Sequence, residues 1–204
     1  MKHLLMTVAA VPMLSLSLAV AQTDVWEIDP AHSSAQFSVR HMMVSNVRGD
    51  FGKMSGRVFF DGKDFAKARV EAVIDAASIS TRNEGRDKDL RSPAFFDVEQ
   101  FPKIEFKSRK LEPAQPGHLR MTGDLTMHGV TREVVLDVEG PTPEVKDQRG
   151  IARIGATATT KINRKDFNIL WNRTLDGGGM VVSDEVQITI DIELVKRPVQ
   201  NPAL

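Results

Sequence analysis

The sequence contains no cysteine and no tyrosine, and it has only two tryptophans in 204 residues. Without cysteine the protein cannot form disulfides, bind iron–sulfur clusters through thiolates or use a thiol nucleophile. The scarcity of amphipathic aromatics is unlike a carbohydrate-binding surface. The 27 basic residues balance the 27 acidic ones, so the net charge gives no electrostatic case for nucleic acid or an anionic membrane as partner.

Signatures of catalysis are also missing. The chain has no G-x-S-x-G motif and no glycine-rich phosphate loop that opens a helix. Asp75, Asp137, Asp191 and Glu193 fall on the polar phase of their segments, so no pair of carboxylates faces a common interior. No histidines stand at metal-ligand spacing, which leaves open only a transition-metal site assembled across strands. The sequence therefore predicts a protein that is not an enzyme and has no cofactor or metal.

The N-terminus resembles a secretory signal peptide. A short positive start, Lys2 and His3, precedes an apolar stretch over residues 4–20, and an A-x-A site ends at Ala21. We therefore expect residues 1–21 to be a signal peptide cleaved after Ala21, and the mature protein to be periplasmic. Residues 22–196 are expected to form one domain, and residues 197–204, which contain two prolines, a disordered tail.

Most of the remaining chain alternates apolar and polar residues with a period of two, which is typical of strands with one buried face. The pattern breaks at residues 83–100, which are highly charged and are predicted to form a short helical insertion over one end of the sheet. Many antiparallel strands with little helix between them indicate an all-β barrel or sandwich. The eight clearest predicted strands cover residues 34–42, 52–60, 69–77, 103–110, 119–127, 132–139, 151–162 and 186–195.

Small residues recur on the apolar faces of these strands, and side chains without bulk leave room inside a barrel. A barrel of about eight strands is just wide enough to hold a small ligand. The sequence thus predicts a container whose interior is widened by small inward-facing side chains, namely Ala72, Ala76, Gly123, Ala156 and Ala158.

Several residues admit two interpretations from the sequence. His41 lies on an inward phase, where it is either a polar group inside the cavity or a core histidine bonded to a backbone carbonyl. Phe95, Phe96 and Phe101 either line the mouth of the cavity or anchor the insertion. The neighbouring basic side chains either contact the anionic head of an amphiphile or form an ordinary solvated loop; they are Arg82, Arg86, Lys88 and Arg91.

Four stretches together resemble the YceI-like family of exported polyisoprenoid-binding proteins. They include the patterns D-x-x-H-S and F-x-V-x-H in residues 28–56, F-F-D-V-x-x-F-P in residues 86–108, L-T-x-H-G-V-T in residues 125–140, and I-N-R-K-D-F in residues 162–194. The resemblance implies a lipocalin-like, extended antiparallel barrel with an apolar tunnel. It also implies a long isoprenoid ligand, such as an isoprenoid quinone or a polyprenyl phosphate, and a homodimer. One departure is Asp89, where the family often has histidine.

Taken together, these observations predict a periplasmic carrier that binds a polyisoprenoid or quinone-like lipid without catalysis and exchanges it with a membrane donor or acceptor protein. The alternatives are a lipid-modifying enzyme that uses His41 or His128 as a base, and an envelope stress-response protein with incidental lipid cargo. The residues expected to contact the lipid are Phe37, Val39, His41, Phe60, Ile74, Phe95, Phe96, Phe106, Met127, Ala156, Ala158, Phe167 and Trp171.

Overall fold

The structure is a computed structural model that describes residues 24–60 and 64–197. The predicted signal peptide, its cleavage site and residues 198–204 of the predicted tail lie outside the described residues. Arg197, the first residue of that predicted tail, ends a strand and pairs with Val25. Within the described ranges, no helix has the length and hydrophobicity needed to cross a membrane.

The described residues form twelve strands, one α-helix and three 3₁₀ turns. The helix α1 spans Glu84–Arg91, and the 3₁₀ turns are Phe65–Lys67, Ala76–Ser78 and Arg164–Phe167. The strands are β1 Asp24–Ile28, β2 Ser34–His41, β3 Ser45–Phe51, β4 Met54–Phe60, β5 Arg69–Asp75, β6 Ile79–Ser80, β7 Lys103–Pro113, β8 His118–Met127, β9 Val130–Glu139, β10 Val145–Lys146, β11 Ala152–Asn163 and β12 Val182–Arg197.

The strands close into an antiparallel barrel of eight, which confirms the predicted lipocalin-like fold. The order in the sheet is β10-β11-β9-β8-β7-β5-β4-β1-β12-β2-β3-β6, and β11 also pairs with β12. The closed ring is therefore β11-β9-β8-β7-β5-β4-β1-β12. Closure gives the strands of the ring hydrogen-bonding partners on both sides and removes exposed edges.

The long strand β12 divides the barrel into two halves. Its C-terminal residues 194–197 pair with β1, whereas residues 182–191 pair with β2, which continues the sheet through β3 to β6. The half around β1 is filled by buried side chains, and we call it the packed half; they include Trp26, Ile154 and Leu194. The half flanked by β2 contains the cavity described below, and we call it the cavity half.

Strand β3 was missed in the sequence, because Gly49 and charged neighbours obscure its alternation. In the structure Gly49 lies directly opposite Phe37 on β2. A β-carbon added to Gly49 would lie 2.5 Å from the Phe37 ring, so the glycine lets this ring lie across the neighbouring strand.

The predicted helical insertion is confirmed, and hydrogen bonds explain its position. Asn83 caps α1 by accepting a bond from the Arg86 N–H. The Arg91 guanidinium donates to the carbonyls of Ala77 and Ile79, and the Phe96 ring packs edge-on against Phe51. The insertion is thereby fixed over the cavity half of the barrel.

Candidate ligand-binding cavity

The cavity half contains a partly open, apolar cavity of about 190 Å³. Its wall is built from side chains of β2, β3, β4, β5, β7, β8, β9, β11 and β12, together with Leu90, Phe95 and Phe96 of the insertion. Period-two alternation explains the wall, since every second residue of each strand faces the same interior. Ile188, Ile190 and Ile192 of β12 are an example.

Eight of the thirteen residues expected to contact a ligand line this cavity. They come from six different parts of the chain, and the barrel brings them together because its strands converge on one interior. They are Phe37, Val39, Ile74, Phe95, Phe96, Phe106, Met127 and Ala158.

The other five expected residues lie outside the cavity. Phe60 stacks on Phe65 with ring centroids 4.2 Å apart, and Phe167 is fully buried elsewhere in the core. Trp171 contacts the ring of Phe95 without lining the cavity, His41 is at the end of β2, and Ala156 lies beneath Gly140. The cause is physical: period two fixes the face on which a residue lies, but not its height along the barrel.

The prediction that five small residues widen the interior was right for Ala72 and Ala158, which line the cavity. Gly123 does not create space, because a β-carbon there would lie 2.5 Å from the Phe106 ring, which already fills it. Ala76 lies in a 3₁₀ turn outside the cavity, and Ala156 is covered by Gly140. Small residues therefore mark close packing as often as empty volume.

Arg164 is a buried cation at one end of the cavity that the sequence reasoning missed. Its side chain is only 5 % exposed. The guanidinium donates to the carbonyls of Ser183, Ile169 and Trp171, at 3.0, 2.6 and 2.8 Å, and it pairs with Asp184 at 3.3 Å. Burial lowers the pKa of Arg164, and the charge of Asp184 partly opposes this effect.

The position of Arg164 could have been predicted from the sequence. The inward phase of β11 runs through Ala158, Thr160 and Ile162, all of which line the cavity, and the next residue in this phase is Arg164. Continuing the alternation by one step past the strand would have placed a cation at the interior. Its hydrogen bonds to three carbonyls fix the segment after β11 to the start of β12.

Comparison with known proteins identifies the family. A family model described as the YceI-like domain matches residues 26–194. The chain belongs to the YceI-like family. A UPF0312 protein of Staphylococcus aureus (strain MSSA476) is 34% identical over 165 residues, covering 81% of this chain and 94% of the relative.

Solved structures agree with the YceI-like assignment. The YceI protein of Campylobacter jejuni matches with a TM-score of 0.66 at 30% identity, covering 78% of this chain and 90% of that one. BcnA of Burkholderia cenocepacia matches at 0.70 and 25% identity, covering 81% and 98%. A polyisoprenoid binding domain from Saccharophagus degradans, implicated in plant cell wall breakdown, shares the fold at 0.61 and 16% identity, covering 84% and 98%.

Within the YceI-like barrel, two of the four basic residues at the insertion are bonded inside the fold, whereas Arg82 and Lys88 are exposed. Arg86 donates to the hydroxyl and carbonyl oxygens of Thr81, and Arg91 holds the carbonyls of Ala77 and Ile79. Asp89, which departs from the family pattern, is exposed, while the adjacent Leu90 lines the cavity. The departure therefore lies on the outer face of α1.

The two histidines considered as bases are both outside the YceI-like cavity. His128 Nδ1 is 3.1 Å from the carbonyl oxygen of Phe167, and its ring packs edge-on against Phe101. This is the carbonyl-bonded arrangement of a structural histidine. Phe101 thus anchors the insertion, whereas Phe95 and Phe96 line the cavity.

One group of potential metal ligands lies at the opposite end of the barrel. Oxygen and nitrogen atoms of Asp29, His32 and Glu193 lie within 4.8 Å of one another. The Arg153 guanidinium bonds to Asp29 at 2.9 Å, to Asp147 at 3.1 Å and to Glu193. A cation therefore already occupies the centre of this group, which is an ion-pair cluster that ties β11 to β12 and to the turn after β1.

The Arg153 cluster makes stability sensitive to acid. Hydrogen bonds from Arg153, then from His32 and the Ala31 N–H, lower the pKa of Asp29 from 3.8 to about 2. Because the folded pKa lies below the unfolded one, the stabilisation is complete above about pH 4 and is lost as pH falls toward 2. We expect the thermal midpoint of Asp29→Asn to be lower than wild type at pH 7 and to fall less between pH 4 and pH 2.

The matched control is Asp176→Asn, because Asp176 is exposed and forms no ion pair within the described ranges. This control should keep the wild-type dependence of the thermal midpoint on pH. A wild-type acid profile in Asp29→Asn would show that Asp29 contributes nothing to acid sensitivity.

Proposed function

We propose that this protein is a non-catalytic carrier that binds the chain of a polyisoprenoid or quinone-like lipid in the barrel, and that it acts in the periplasm after export. The observation that carries the proposal is the apolar cavity in the half of a closed barrel where small-residue positions such as Ala72 and Ala158 leave space. The polyisoprenoid binding domain that shares the fold supports the choice of ligand class.

The energetics favour an apolar chain. Burying each methylene contributes about 0.8 kcal/mol, so ten of them offer roughly 8 kcal/mol before ordering costs. A dry cavity of about 150 Å³ holds benzene, so 190 Å³ accepts a few carbons of a chain without rearrangement. A longer chain requires side chains to move, and Met54, Met121 and Met127 in the wall have the flexible side chains that allow this.

The chemistry of the wall also argues for binding over catalysis. The polar residues at the cavity are Gln36, Glu105, Thr160 and Arg164, and the guanidinium of Arg164 is already bonded to carbonyls and Asp184. The wall presents almost no polar atoms to the interior, and neither His41 nor His128 reaches it. We therefore place the apolar chain inside the cavity and a polar head group outside it.

Native mass spectrometry of protein purified from its own cell envelope, followed by organic extraction, tests the proposal. We expect a polypeptide mass corresponding to residues 22–204 and one stoichiometric isoprenoid or quinone species. The same spectrum reports whether the protein is a homodimer. A folded protein that carries no lipid and takes up no added isoprenoid would refute the carrier function.

A further inference from the structure

The hairpin between β2 and β3 ends in three exposed apolar residues, Met42, Met43 and Val44, which we call the tip. Met43 is 61% exposed and Val44 is 77% exposed. Five of the seven large apolar side chains that are exposed in the described residues lie at this end of the barrel: the three residues of the tip, Leu170 and Met180. Such clustering on a surface marks an interaction site.

The tip is continuous with the end of the cavity. Val39, which lines the cavity, is three residues before Met42, and cavity-lining Val182 pairs with His41. The Met42 N–H donates to the Val181 carbonyl at 2.7 Å. A β-carbon on Gly179 would lie 3.6 Å from Met43 Cγ, so the loop that carries Met180 is packed beside the tip.

The backbone of the tip shows that folding alone does not explain its sequence. Met42 and Met43 have φ of +49° and +60°, and the Val44 N–H closes the turn on the His41 carbonyl at 3.0 Å. A turn whose two central residues both have positive φ favours Asn-Gly, because bulky side chains are strained there. Two exposed methionines in these positions are poor for the turn, which points to a role outside the fold.

Basic side chains lie near the tip. Arg40 donates to the Met43 carbonyl at 3.0 Å and to Asn46, which holds its guanidinium beside the turn. Among residues 24–60 and 64–197, no carboxylate forms an ion pair with Arg40, Arg48 or Arg173. The acidic residue of the adjacent loop is Asp176. Asp184 and Glu185 at the start of β12 are also near, but both are already paired with basic side chains, namely Arg164, Lys165 and Lys161. The balanced charge of the whole chain thus conceals a local basic excess.

We propose that the tip docks this protein on an anionic phospholipid membrane, with Met42, Met43 and Val44 in the apolar–headgroup boundary and the surrounding arginines on the phosphates. Apolar insertion combined with basic side chains is the usual physical basis of reversible membrane attachment. A second copy of the chain is a poorer partner for this surface, because its own tip would bring Arg40 against Arg40. Docking would bring the end of the cavity to the bilayer. If the protein is the carrier proposed above, an isoprenoid chain then passes between cavity and bilayer with little exposure to water.

The decisive variant is Met42→Asn combined with Met43→Gly, measured by flotation with vesicles of phosphatidylcholine containing about 30 mol% phosphatidylglycerol. The mature wild-type protein should float with these vesicles, less so at high salt. The double variant should lose about tenfold in vesicle partitioning, while its thermal midpoint stays the same or rises, because Asn-Gly suits this turn. The double variant should therefore lose vesicle binding without losing stability.

Val145→Ser is the matched control, because Val145 has the same 61% exposure as Met43 but lies on β10, next to the packed half. It should leave flotation unchanged. Wild-type flotation of the double variant, or no flotation of wild type, would overturn the proposal. A double variant that loses self-association or a protein partner while wild type never floats would likewise overturn it. If the protein binds vesicles but carries no lipid, the docking proposal stands and only the carrier proposal fails.

Discussion

Replacing Ala158 with phenylalanine should abolish lipid binding while the barrel remains folded. Ala158 lies on β11 opposite Ile190, and both line the cavity. The new ring would project into a cavity of about 190 Å³ and occupy the space that the chain requires. Because there is a void to fill, we expect the cost of overpacking to stay below the usual 1–3 kcal/mol, and ligand occupancy to drop by more than about tenfold.

The measurement is the lipid content of the purified variant by native mass spectrometry, with thermal unfolding as the test of folding. Val135→Phe is the control, since Val135 is exposed on the outer face of β9 and is not part of the cavity wall. It should retain the wild-type lipid content. A folded Ala158→Phe protein with a full complement of lipid would show that the ligand binds somewhere other than this cavity.

Of the predicted single substitutions, Arg164→Met should lower the free energy of unfolding the most. The change removes the donors that satisfy the carbonyls of Ile169, Trp171 and Ser183 and leaves Asp184 without this partner. A buried carbonyl left without its donor costs about 1–3 kcal/mol. Since three carbonyls lose a donor, we expect the free energy of unfolding in urea to fall by about 3 kcal/mol or more. The loss should also release the segment beside the cavity from the start of β12.

Lys165→Met provides a stringent comparison. Lys165 pairs with the same Asp184 at 2.8 Å, but its side chain is 39% exposed, so removing it should cost less than about 1 kcal/mol. Similar free energies of unfolding for the two variants would mean that the carbonyl contacts of Arg164 contribute little to stability.

Much of this fold could be predicted from the sequence, because alternation with a period of two directly reports which side chains face a common interior. The predicted strands and the insertion follow from that periodicity and its interruption. Periodicity alone indicated a barrel or a sandwich, and the lipocalin-like barrel was what the resemblance to the YceI-like family implied. Strand β3 did not follow from the periodicity, since Gly49 has no side chain to mark its phase, and its role depends on Phe37 from the neighbouring strand. Contacts between strands are not encoded in the pattern of either strand alone.

The candidate site was less predictable for a related reason. Phe60 and Phe106 are equally apolar and equally inward, yet Phe60 packs on Phe65 while Phe106 lines the cavity. What separates them is their height in the barrel, which depends on the register between strands. The buried position of Arg164 was not predicted for a different reason. A charged side chain is expected at the surface unless buried partners, here backbone carbonyls, are known.

Because β12 is divided between two neighbours, the base and the rim of the barrel are held together by different interactions. At the base, β1 completes the ring and Arg153 cross-links Asp29 and Glu193, so opening there would break strand pairing and ion pairs together. At the rim, β2 and β3 lead away to the two-residue strand β6, and side chains of the insertion cover the gap. We therefore expect the barrel to widen around a longer ligand at the rim, while the base stays closed.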